Sequence, residues 1–94
     1  SVSNGCCIAK NTVIKNCVLA SNITVEEGAI LEDSVIMDNC VIGKNCHIKK
    51  AIIDRFNVLP NGMEVGLNKE EDSQNYFIDP SGIVIIPRGR TKFL

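Results

Sequence analysis

An all-β solenoid, wound in triangular turns, is predicted by three features of the chain. Aliphatic side chains return in steps of six, six and five residues. A mostly small side chain stands two places ahead of each. Asn, Gly and short polar runs fill the gaps between them. The period is therefore seventeen, which fits neither the 3.6-residue repeat of a helix nor the plain alternation of an amphipathic strand.

The aliphatic columns justify the strands in order. One column is Val2, Leu19, Ile36 and Ile53; six residues on come Ile8, Val25, Ile42 and Leu59; six further on come Ile14, Leu31, Ile48 and Val65. No position in the three columns is polar, so each marks the inward residue of a short strand. The side chains two places earlier are Cys6, Thr12, Cys17, Ile23, Ala29, Ser34, Cys40, Cys46, Ala51, Asn57 and Met63. They are expected inside a tight corner, where bulk is excluded. Cys6, Cys17, Cys40 and Cys46 thus read as small inward hydrophobes rather than nucleophiles, because a buried thiol ionises poorly. Cys7 falls off the column and is expected to point outward. Turns are expected at Lys10-Asn11, Lys15-Asn16, Glu26-Glu27-Gly28, Asp38-Asn39, Lys44-Asn45 and Pro60-Asn61-Gly62, since Asn and Gly tolerate positive φ. About four coils then stack at the strand spacing of about 4.8 Å, each burying its aliphatics against its neighbours.

After Val65 the period stops. Residues 68–75 are polar and acidic and read as a loop or a short helix. Phe77-Ile78, the turn Asp79-Pro80-Ser81-Gly82 and Ile83 to Ile86 read as a hairpin or capping strand, ended by Pro87. Arg88, Arg90 and Lys92 make the tail basic. The organisation is therefore coils over 1–67, then a polar loop, capping strand and tail over 68–94.

Composition narrows the function classes. Ninety-four residues suit one small domain. A net charge of −1 argues against a general nucleic-acid binder, and 4% aromatic residues offer no stacking platform for bases. No run of apolar residues is long enough to span a bilayer. Five cysteines without a CxxC pair, and a single histidine, His47, do not make a zinc site. Unpaired thiols point to a cytoplasmic setting. The Ser start and the uncapped first coil lead to the expectation that further sequence precedes these residues.

The repeats "IAKNTV", "VEEGAI" and "IGKNCH" resemble the hexapeptide repeat, whose fold is a left-handed parallel β-helix. The stretch "AIIDRFNVLPNGMEVG", the acidic "EED" and "SGIVIIPR" resemble the C-terminal end of the glucose-1-phosphate adenylyltransferase (ADP-glucose pyrophosphorylase) family. The rows before them, including "LEDSVIMDNCVIGKNCHIKKAI", fit the β-helix domain of that family. The resemblance implies a parent enzyme that converts ATP and glucose 1-phosphate to ADP-glucose and pyrophosphate for glycogen or starch synthesis. It places catalysis, with Mg²⁺ on carboxylates, in an N-terminal nucleotidyltransferase domain. No Gly-rich phosphate loop follows a strand in these residues, so this chain alone is not expected to catalyse, and no catalytic residue, metal or cofactor is assigned to it.

The resemblance further implies two jobs: assembly into a homo-oligomer, a tetramer in the family, and binding of a phosphorylated metabolite at the junction with the catalytic domain. Such effectors include fructose 1,6-bisphosphate and 3-phosphoglycerate, opposed by AMP or phosphate. Residue by residue, Arg55 of "IDR" and Arg88 after "SGIVIIP" match effector-contacting basic residues. Lys92 stands where bacterial relatives carry another, and Lys69 of "NKEED" stands where plant relatives carry an activator lysine. Asp79-Pro80 departs from the plant pattern. Arginine suits the role, since its planar fork offers two donors to one phosphate. The competing reading pairs Arg55 with Asp54 or Glu70 and treats the tail as solubilising. Two other functions compete: an acyltransferase of the same repeat with His47 as general base, and a freestanding oligomerisation scaffold.

Overall fold

The computed structural model describes residues 5–89. The first coil carries β1 (Cys7–Ile8), β2 (Val13–Lys15) and β3 (Val18–Leu19). The second carries β4 (Thr24–Val25), β5 (Ile30–Glu32) and β6 (Val35–Ile36). The third carries β7 (Val41–Ile42), β8 (His47–Lys49) and β9 (Ala51–Ile53), and the fourth opens with β10 (Val58–Leu59) and β11 (Glu64–Val65). A helix, α1 (Lys69–Asn75), and two strands, β12 (Phe77–Ile78) and β13 (Val84–Ile86), follow among the described residues.

The strands form three parallel faces of a β-helix. The first face runs β1-β4-β7-β10, the second β2-β5-β8-β11 and the third β3-β6-β9. Every register is offset by seventeen: Ile8 pairs with Val25, Leu31 with Ile48 and Ile36 with Ile53. The aliphatic columns are the core. Leu19, Val25, Leu31, Ile36, Ile42, Ile48, Ile53 and Val65 are all sealed from solvent. The open end differs, with Ile8 41% exposed and Ile14 only partly covered, because no coil covers the first among the described residues.

Each corner contains one residue with positive φ, and these also recur in steps of six, six and five. Asn11, Asn16, Gly28, Asn39, Asn45 and Gly62 hold the predicted corners. Gly5, Asn22, Asp33, Lys50 and Phe56 hold others, the four non-glycine residues with φ between 49° and 61°. Lys50 and Phe56 are not residue types that choose the left-handed region; their corners are fixed by the coils above and below.

The inward cysteines behave as the columns predict. Cys40, Cys46 and Cys17 are buried, Cys6 is partly so and Cys7 is exposed; all five are free thiols. Cys6, Cys40 and Cys46 each donate Sγ–H to a carbonyl of the next coil, on Ala20, Asp54 and Pro60, all at 3.1 Å. Burial pushes the Cys17, Cys40 and Cys46 thiols above their ordinary pKa.

The tail does two things at once. β12 and β13 form an antiparallel hairpin, and β13 also stacks in parallel on β9, with Val84, Ile85 and Ile86 opposite Ala51, Ile52 and Ile53. The third face therefore gains a fourth strand from far along the sequence. Residues 69–75 form a helix rather than a loop because Asn68 caps it, accepting from the Glu71 N–H at 3.1 Å. Asp72 turns inward and accepts the Gly66 N–H at 2.8 Å, tying the helix to the end of β11. No helix of the described residues is long and apolar enough to cross a membrane.

Candidate functional site

The corner between β9 and β10 holds two of the four basic residues singled out by sequence, Arg55 and Arg88. Ile53 is fully buried, so the chain must turn outward at Asp54 and Arg55 before Leu59 re-enters the core. Asp54 Oδ1 accepts the Arg55 N–H at 2.7 Å, which shapes the turn. Phe56 follows with φ of 61°. Asn57 Nδ2 closes the corner by donating to the Asp54 carbonyl at 2.8 Å.

Residues 86–89 are fastened along this corner. The Asp54 N–H donates to the Ile86 carbonyl at 3.0 Å, Asn57 Nδ2 to the Pro87 carbonyl at 2.9 Å, and the Gly89 N–H to the Arg55 carbonyl at 2.9 Å. The approach is close enough that a Cβ on Gly89 would lie 1.9 Å from the Phe56 carbonyl oxygen, so only glycine fits there. Between these contacts Arg88 lays its guanidinium over the Phe56 ring, with Cζ 4.9 Å from the ring centre.

Arg55 and Arg88, thirty-three positions apart in sequence, thus share one corner. Both are solvent-accessible. Arg55 Nε lies 4.0 Å from Asp54 Oδ1, at the outer limit of an ion pair, and both side chains are about half exposed. Such a pair is worth about 0–1 kcal/mol. Arg55 makes no ion pair with Glu70 among the described residues. The corner therefore brings the Arg55 and Arg88 positions together with both side chains exposed, and each guanidinium is a planar donor fork of the kind that suits a phosphate.

The other basic candidates lie elsewhere. Lys69 is the exposed first residue of α1, past the end of the second face and at a different corner from Arg55. Lys92 lies outside the described residues. His47 is on the outward side of β8, in register between Ile30 and Glu64, but it is partly buried rather than freely exposed. Its Nε2 is 3.0 Å from Glu32 Oε1. Sequence reading missed that partner, although residues fifteen apart are diagonal neighbours in a coil of seventeen. It also missed Phe56, whose corner could have been found by counting seventeen from Asn39. Among the described residues, a cleft of about 320 Å³ lies beside Ile8 and Val25 and another of about 220 Å³ beside Asp72 and Tyr76, and neither of these is lined by Arg55 or Arg88.

The GlmU-like C-terminal hexapeptide family matches over residues 1–86. Among curated proteins, the glucose-1-phosphate adenylyltransferase of Actinobacillus succinogenes is 41% identical over 86 residues, covering 92% of this chain and 20% of that protein. That of Pasteurella multocida is 35% identical over 94 residues, covering the whole chain and 21% of the relative. That of Trichlorobacter lovleyi is 37% identical over 89 residues, or 94% of the chain and 22% of the relative. The chain spans about a fifth of the length of these relatives.

Proposed function

The chain belongs to the GlmU-like C-terminal hexapeptide family, and from that membership we propose that it is the assembly and effector-binding domain of a glucose-1-phosphate adenylyltransferase. Its ligand is a phosphorylated metabolite, held between Arg55 and Arg88. The chemistry of that enzyme, transfer of an adenylyl group from ATP to glucose 1-phosphate, belongs to a separate nucleotidyltransferase domain, as does its Mg²⁺. The cytoplasm is the proposed setting, in keeping with five free thiols.

The observation that carries the reading is the shared corner. Three backbone-directed hydrogen bonds hold residues 86–89 against residues 54–57, and we propose that the exposed guanidinium groups of Arg55 and Arg88 turn toward one ligand there. Like charges so placed repel, and a doubly charged phosphate between them removes the repulsion while accepting bidentate bonds from each. The effector therefore binds to a place already built, without ordering a loop first. Lys92 is proposed as a further contact from the tail, and Lys69, at another corner, as a peripheral one.

Assembly is proposed through the third face. Its outward column, Val18, Val35, Ile52 and Ile85 with Phe77 beyond, is apolar from end to end. A run of this kind suits association between copies better than permanent exposure.

The test is a calorimetric titration with fructose 1,6-bisphosphate, on the 94-residue chain and on the enzyme that contains it. Arg55→Ala and Arg88→Ala are each expected to weaken binding by about tenfold or more, the loss of a charge-assisted pair. Unchanged binding in both variants refutes the assignment of the corner.

A further inference from the structure

We infer that Phe56 is a positioning residue whose ring holds the Arg88 guanidinium at the corner and aims its donor edge at the ligand. The inference rests on the proposed effector site and concerns how that site is kept in shape.

The corner column supplies the first part of the argument. Gly5, Asn22, Asn39 and Phe56 occupy equivalent corners, one per coil, and all have positive φ. Glycine and asparagine accept that backbone readily; a large aromatic residue does not. A phenylalanine at φ of 61° persists only where its surroundings hold it. The surroundings here are the coil below and the tail: the Phe56 N–H donates to the Asp38 carbonyl at 3.1 Å, Gly89 donates to the Arg55 carbonyl just before Phe56, and Asn57 just after it donates to the Pro87 carbonyl. The residue between those two anchors on the corner is Phe56. The tail residue between Pro87 and Gly89 is Arg88, which sits over the ring.

The second part is chemical. An aromatic face attracts a guanidinium stacked on it. Stacking occupies the flat face of the ion and leaves its N–H donors, which lie in the plane, directed outward. A phosphate is recognised along that edge. Without the ring, Arg88 is a long exposed side chain with many rotamers, and Arg55 repels it. With the ring, part of the ordering is complete before the ligand arrives.

Two measurements test this. In the free chain, the Arg88 δ-methylene protons are expected upfield of their ordinary position through the ring current of Phe56. The shift should vanish in Phe56→Leu, which keeps a bulky side chain in the same strained corner, and should survive in Phe56→Tyr. In titrations with fructose 1,6-bisphosphate, Phe56→Leu should bind about 2- to 5-fold more weakly, and Phe56→Tyr as the parent. In an Arg88→Ala background, Phe56→Leu should have no further effect. If Phe56→Leu does not fold, Phe56→Asn, which restores the residue found at Asn22 and Asn39, serves instead. Unshifted Arg88 protons in the parent chain overturn the inference. So does parental affinity in Phe56→Leu when Arg55→Ala and Arg88→Ala have lost binding, and the effector site then stands. If neither arginine variant changes affinity, the site assignment fails, and the proton shifts still decide whether Phe56 positions Arg88.

Discussion

Replacing Ile42 by alanine removes three carbon atoms from the middle of a stack. Ile42 lies between Val25 and Leu59 on the first face and is completely buried. At about 0.8 kcal/mol for each buried methylene, the lost transfer free energy is about 2.4 kcal/mol. The coils on both sides limit collapse into the space, which adds about 1 kcal/mol of cavity. The expected loss is about 3–4 kcal/mol. Ile8 heads the same stack but is 41% exposed, with a coil on one side only. Ile8→Ala loses about three-fifths of the transfer term and leaves no closed cavity, so about 1–1.5 kcal/mol is expected. Urea unfolding followed by circular dichroism measures both values, and a constant m-value shows that the change is one of native stability. In a domain of this size the difference of about 2 kcal/mol also separates the melting temperatures by about 8–16 °C. Equal losses at the two sites would refute the reasoning, because Ile8 would then be as well covered in solution as Ile42.

The remaining two expectations concern a corner and the thiols. Gly66 has φ of 84° and a Cβ there would lie 1.8 Å from the Lys49 carbonyl oxygen; Gly66→Ala is expected to cost about 3 kcal/mol in the same unfolding assay, and a loss under about 1 kcal/mol contradicts the geometry. The second is a pH effect. Cys17, Cys40 and Cys46 have raised pKa values because burial disfavours the thiolate, so at alkaline pH the unfolded chain releases protons that the folded chain retains. Their contribution to stability is complete below the ordinary value near 9.0 and is lost as pH rises above it. Unfolding at pH 8 and pH 10 should show a steeper decline in the parent than in a chain with all three changed to alanine; parallel declines would exclude the thiols as the cause.

The coils were legible because their information is local and repeated. Ile42, Ile48 and Ile53 sit where a period of seventeen puts them, and the small column explains four cysteines without chemistry. The corners at Lys50 and Phe56 were hidden from residue preference, which is worth less than the stacking that fixes the turn, and only the count of seventeen from Asn16 and Asn39 reaches them. The end of the domain was half legible. Residues 77–86 read as a hairpin or a capping strand and are both, but the partner of β13 could not be counted out: Val84 lies thirty-three residues from Ala51, not seventeen. Asp72 read as part of an acidic run, whereas the fold turns it inward to accept the Gly66 N–H. At the candidate site, the basic residues were visible in the sequence. Their shared corner depends on β13 docking beside β9, which no repeat announces. Glu32 escaped notice as the neighbour of His47 because it lies on a diagonal rather than in a column.

The short side of the triangle acts as a registration mark. Two sides of each coil take six residues and the third takes five, through the corners at Asn16, Asp33 and Lys50. With three equal sides, a nascent coil that advanced by one face would still place aliphatics inward and would meet little opposition. The missing residue abolishes that freedom. A coil displaced by one face sets a five-residue side over a six-residue one, and the strands beyond it fall out of phase by one, which sends inward side chains out. The smallest error that preserves the pattern is therefore a whole turn of seventeen residues. The fold thus obtains its phase from one absent residue per coil, and the tail, which arrives last in sequence, finds only one corner where Arg88 meets Phe56.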